Sequence, residues 1–191
     1  VNYIDLNDKF DVTLDNVNFT NCHAMTYGDG GALYIAGDST KSITLKDVDF
    51  TNTDASRNGG AVYIKGEVNG LKFDDVDFIN VSAIAGSGGA IFAENTVSNF
   101  KFVNSTVINS SAKNGGTAIR LNAAKGATIK DDYIENYTGK NTDGSISGKG
   151  GVIYIGGDAS NNGKIEIDNV VLKNDKVLVV NGDGGLVYCG G

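Results

Sequence analysis

The sequence predicts an all-β protein, a single-stranded parallel β-helix that is right-handed by the chirality of parallel connections, with about six coils of roughly 28 residues. Three observations predict it. A Gly-Gly pair recurs six times, each time just ahead of a short apolar strand. A second segment in every unit carries inward-type residues at i, i+2, i+5 and i+7. The composition is that of turns and strands: 27 Gly, 22 Asn and 19 Asp stand against 4 Glu and no Pro. Gly, Asn and Asp tolerate left-handed backbone and form side-chain turns, whereas helical stretches need residues this chain nearly lacks.

Each unit opens on the double strand. Its positions read Val12, Leu14, Val17, Phe19, then Ile43, Leu45, Val48, Phe50, then Leu71, Phe73, Val76, Phe78. They continue as Phe100, Phe102, Ser105, Val107, then Ala127, Ile129, Asp132, Ile134, and finally Ile165, Ile167, Val170, Leu172. Alternation with period two shows one face of a strand to the core. The step of three inserts one extra outward residue, and the second outward residue there is always Asn or Asp: Asn16, Asp47, Asp75, Asn104, Asp131, Asn169. Those are the non-glycine residues best able to turn a corner through positive φ. Asp132 takes an inward slot, where it either turns out at an irregularity or is hydrogen-bonded.

An Asn follows two residues after the last position of each double strand: Asn21, Asn52, Asn80, Asn109, Asn136 and Asn174. Counted by alternation, this column points inward, as a stack of amides bonding neighbouring coils and the turn.

The Gly-Gly pairs come next, at Gly30, Gly59, Gly88, Gly115, Gly150 and Gly184, with an extra Thr117 after the fourth. In the strands that follow, the second and fourth residues are aliphatic or Cys, which places Cys189 in a core column. The third residues are Tyr34, Tyr63, Phe92, Arg120, Tyr154 and Tyr188. A guanidinium does not share a core column, so this position faces out. It forms an aromatic stripe interrupted by one Arg, whose neighbouring rings and guanidinium either pack on one another and under loops or serve as a platform for sugar rings or protein anchors.

Charge narrows the function. With 23 acidic against 16 basic residues the net charge is −7. No basic stripe serves nucleic acid, and no run of 18 apolar residues crosses a membrane. Asp49 and Asp77 occupy one outward column, where a Ca²⁺ could relieve their repulsion; no other cofactor or metal is expected. Cys22 and Cys189 lie too many coils apart for a disulfide.

The Gly-Gly-Ala-Val/Ile-Tyr/Phe strands and the turns Phe19-Thr20-Asn21, Phe50-Thr51-Asn52 and Phe78-Ile79-Asn80 resemble two groups of surface β-helices. One is the adhesin-like proteins of methanogenic archaea; the other is the GGAI and FxxN repeats of chlamydial polymorphic outer-membrane proteins. Acidic coils rich in Asn, Asp and Gly match the archaeal group better, since the Asn here lies two residues after Phe rather than three. The resemblance implies display at the cell surface and adhesion to cells or glycans, and it brings no catalytic residues. Polygalacturonase-like patterns are incomplete. Asn141-Thr142-Asp143 follows Asp131-Asp132, and both Gly-His-Gly and Arg-Ile-Lys are missing.

The expected function is therefore a non-catalytic extracellular adhesin module binding cell-surface glycans or proteins. A rigid stalk and a polysaccharide lyase or hydrolase are the other two readings. Binding residues concentrate on loops held by a rigid scaffold. Coil five carries a long loop between Tyr137 and Lys149, and coil six an insert containing Val177 to Val180. The candidate ligand-binding residues are Arg120, Tyr137, Lys140, Asp143, Tyr154 and Tyr188. The 191 residues read as one solenoid domain (1–191) of a longer repeat protein, with adjacent domains of that chain as neighbours.

Overall fold

A computed structural model describes residues 2–6, 10–143, 145–157, 163–174, 179–180 and 184–190. Among them there is no helix, and the strands pair in parallel as a solenoid of about five turns with a spacing of about 29 residues. Six equivalent double strands bound those five turns.

Register fixes which residues stack. One column runs Leu14, Leu45, Phe73, Phe102, Ile129, Ile167. The next, past the corner, runs Phe19, Phe50, Phe78, Val107, Ile134, Leu172. The glycine-led strands form a third face that gains a seventh member, because Asn2–Asp5 pairs with Leu33–Ala36. These columns meet in an interior whose largest wholly buried side chains include Phe50, Phe73, Phe78, Phe100 and Phe102. The rings of Phe19, Phe50 and Phe78 stack with centroids 5.0 and 4.8 Å apart.

The predicted corner is made as expected. Asn16, Asp47, Asp75, Asn104, Asp131 and Asn169 all have φ between 50° and 58°. The ladder Asn, in contrast, do not point inward. Asn21, Asn52, Asn80, Asn109 and Asn136 also have φ between 53° and 58° and are exposed. The reason is the same device used twice: a left-handed residue adds one outward position and resets the alternation. The residue after the Asn then turns in, as Thr53 and Val81 do, both 0% exposed. Outside, the amides chain together, Asn52 donating to Asn21 at 3.1 Å, Asn80 to Asn52 at 2.9 Å and Asn109 to Asn80 at 2.8 Å.

This dual role is separable. Asn80→Ala loses both the amide bonds and the tolerated left-handed backbone, and is expected to cost about 1–2 kcal/mol, a fall in Tm of roughly 2–8 °C. Asn80→Gly keeps the backbone and should recover about half of that loss in the same thermal melt.

Thr117 is not an extra residue. Gly116 holds the left-handed conformation of a first glycine (φ 75°), so Thr117 occupies the second-glycine position and Gly115 is the insertion. Cys189 pairs with Ile155 in the core column but is exposed, because no further described coil lies over it.

Candidate binding face

The outward column of the glycine-led strands has the register Tyr3, Tyr34, Tyr63, Phe92, Arg120, Tyr154, Tyr188. Stacking of coils brings the rings together, face to face for Tyr3–Tyr34 and Tyr63–Phe92 and tilted by 36° for Tyr34–Tyr63. Centroids lie 5.4 Å apart for Tyr3–Tyr34, 5.0 Å for Tyr34–Tyr63 and 5.6 Å for Tyr63–Phe92. Such contacts consume the ring faces that a sugar would need, and leave edges and hydroxyls outward. In mid-column even the edges are covered, with Tyr63 5% and Phe92 7% exposed. Tyr63 donates its hydroxyl to Glu94; burial first, and then that bond, hold its phenol protonated well above the ordinary range.

At Arg120 the column changes character. The guanidinium carbon sits 4.2 Å from the Tyr154 ring centroid, and Nε donates to Asn122 Oδ1 at 3.0 Å. Tyr154 stacks on Tyr188 at 5.0 Å, and Lys149 Nζ lies 4.9 Å from the Tyr188 centroid. Arg120 thus lies over the first of two half-buried rings, and Lys149 lies beside the second near its hydroxyl, 3.4 Å away. Burial lowers the Arg120 pKa from its usual value, though a guanidinium keeps its charge. Lys149 and Asn122 escaped the sequence reading. Asn122 shares Arg120's strand two residues on, and that spacing was its signal.

The other expected binding residues separate from this group. Tyr137 is 2% exposed and packed in the core, a correction that follows from Asn136 resetting the alternation just before it. Burial raises its phenol pKa. Lys140 and Asp143 are exposed on the following loop. Asp143 Oδ1 accepts the Ser145 amide at 2.9 Å, and Ser145, by its side chain and amide, holds the Asp143 carboxyl below the usual range. Asn141 donates to the Ser145 carbonyl and to Ser147 Oγ, both at 2.9 Å, closing the loop. The coil-six insert lies outside the described residues, apart from the backbone of Val179–Val180, which pairs with Ile146–Ser147.

Asp49 and Asp77 are neighbours in register, as the Ca²⁺ expectation required. Beside them Asp75 bonds to Asp47, which raises the Asp75 carboxyl, while Lys72 holds Asp74 at 2.6 Å. Among the described residues no three His, Cys, Asp or Glu side chains converge as a metal site. His23 pairs with Asp54, and the same column continues through Ser82 and Ser111. The carboxylate stands between imidazole and hydroxyls, so this is not a base-and-nucleophile pair.

Asp132 is buried, not turned out, at 3% exposure. Its Oδ1 accepts the Ser105 amide at 2.8 Å, and Ser105 Oγ in turn accepts the Val76 amide at 3.1 Å. Oδ2 has no hydrogen-bond partner. Compared with known proteins, the chain matches no family model, no curated protein and no solved structure.

Proposed function

We propose that this chain is a non-catalytic extracellular adhesion module that binds a cell-surface glycan or protein on the face built around Arg120, Tyr154 and Tyr188. The observation that supports it is the pairing of a guanidinium with two stacked, half-exposed tyrosines on a rigid sheet. Tyr and Arg are the side chains that most often anchor interfaces, because they bury a large area at low conformational cost. Strand pairing on both sides holds Arg120 and Tyr154, and pairing on one side holds Tyr188, so little ordering remains to oppose binding. Lys149 extends the same face, and Lys140 and Asp143 lie on the loop between Asn136 and the next glycine pair.

Retention of labelled protein on glycan arrays and on intact microbial cells tests this reading. Arg120→Ala and Tyr154→Ala are expected to weaken specific retention about 30-fold, the equivalent of about 2 kcal/mol for an anchor residue. No retention on any surface would make a rigid stalk the better account. Shortened glycans recovered from the array would make it an enzyme.

A further inference from the structure

A second feature lies at a different corner, where the glycine-led strands pass into the double strands. In the first coils this connection is short, and the surface dips. One depression of about 360 Å³ is lined by Tyr3, Tyr34, Asp5, Asp38, Lys65 and Asn95 among others. It shares Asp38 with a second of about 290 Å³, which continues past Glu67 and Asn69 to Thr96 and Ser98. Each has the size of a small-ligand site; the first lies beside the second, a furrow that runs along the axis, since Asp38, Glu67, Thr96 and Lys125 come from four successive coils.

Its construction is regular. Ser39 bridges to Val68, Val68 pairs with Val97, and Val97 with Ala124, all in parallel register. These four are buried and make a firm floor. The residue before and the residue after each floor position must face out. That gives one polar row of Asp38, Glu67 and Thr96, and a second of Thr40, Asn69, Ser98 and Lys125. Backbone bonds fix the rows, since Ser39 N–H donates to Glu67 O at 2.8 Å and Asn69 N–H to Ser39 O at 3.0 Å. Asp38 Oδ1 accepts the Glu67 amide at 2.9 Å, and a carboxylate retains further acceptor sites.

We infer that this furrow is a binding site for an uncharged, extended glycan chain lying along the solenoid axis, with one sugar unit per coil. Three properties select that ligand. The rows combine carboxylates, amides and hydroxyls, the acceptors and donors that sugar hydroxyls use. They repeat at the strand spacing of about 4.8 Å, commensurate with one sugar of an extended chain. Asp5, Asp38 and Glu67 at the head oppose an anionic chain, while Lys65 and Lys125 oppose a cationic one. The site goes beyond the adhesion reading, because it uses none of the residues of the Arg120 face.

Calorimetric titration of the whole chain with neutral β-linked hexasaccharides of the cello, manno and xylo series tests it, with hexagalacturonate and a chitosan hexamer as charged counterparts. At least one neutral series should bind saturably. Thr96→Arg, which places a long side chain across the furrow, should weaken that binding at least tenfold, whereas Arg120→Ala should leave it unchanged. Ser98→Arg serves as the second plug should Thr96→Arg lower the melting temperature. The inference falls if no neutral series binds, if only a charged oligomer binds, or if a folded plugged variant binds as well as the original. Retention on cells through the Arg120 face is read separately, so either site can fail alone.

Discussion

Gly60→Ala is expected to destabilise the chain by at least about 3 kcal/mol, lowering Tm by roughly 6–12 °C. The cause is close approach, since this second glycine of its pair does not have positive φ. A Cβ at Gly60 would lie 2.1 Å from the Gly89 carbonyl oxygen and 2.6 Å from the Ser82 backbone. Both atoms belong to the next coil's main chain, so relief requires two coils to part. The unfolded chain loses entropy on Gly→Ala, but that gain of about 0.4–1 kcal/mol is too small to compensate. Gly185→Ala is the internal control. Gly185 sits in the same column, yet a Cβ there meets nothing within 4 Å, and its melt should shift by no more than about 0.5 kcal/mol. Equal effects at the two positions would refute the crowding argument.

Asp132→Asn should stabilise the protein above neutral pH and flatten its pH dependence. Desolvation is the first cause that pushes the Asp132 pKa up to about 7, with the charge of Asp131 adding to it and the amide bonds from Ser105 and Lys130 opposing it. The unfolded value is near 3.8, so between those pH values the folded state holds the extra proton. Stability therefore falls as pH rises from about 4 through 7, by on the order of 4 kcal/mol in total. The amide keeps the oxygen that accepts from Ser105 and has no charge to desolvate. Urea midpoints at pH 5 and pH 8 measure this directly. The wild-type midpoint should drop between them, and the variant's should hardly move; parallel drops would sink the assignment. Acids held below their usual range, such as Asp74 and Glu135, act only near and below pH 4 and do not obscure the window.

The fold was legible because its signals are local and repeated. Positions such as Phe50 and Phe78 fall on the core side by simple alternation, and Asp47 and Asp75 mark their corner by residue type. The second corner was misread for one reason. Asn52 and its equivalents bend the chain through the same left-handed region as Asp47, but no run of outward residues flags it, since Thr51 looks like an ordinary strand position. That single phase error carries Asn80 outward and Tyr137 inward together. The Arg120 face was legible as a column of rings and one guanidinium packed on one another, but not in its interplanar angles, because spacing gives register alone. The furrow was illegible altogether. It depends on Asp38, Glu67 and Thr96, each three residues past Ile35, Ile64 and Ala93, facing outward together, and only pairing of Ser39 with Val68 and Val97 shows that alignment.

The outward Asn column has one more implication, for the way the chain reaches its native state. Its side-chain bonds join residues 31, 28 and 29 apart in sequence, close to one full turn in each case. Contact order counts sequence separation relative to length, so each added coil lowers the relative value while the absolute loop to be closed stays fixed. Closing the first pair of coils is then the slow event, and every later coil docks onto a formed template at nearly the same entropic cost. Refolding rates of variants with one whole coil deleted or duplicated should differ little, with changes in length appearing in the unfolding rate instead.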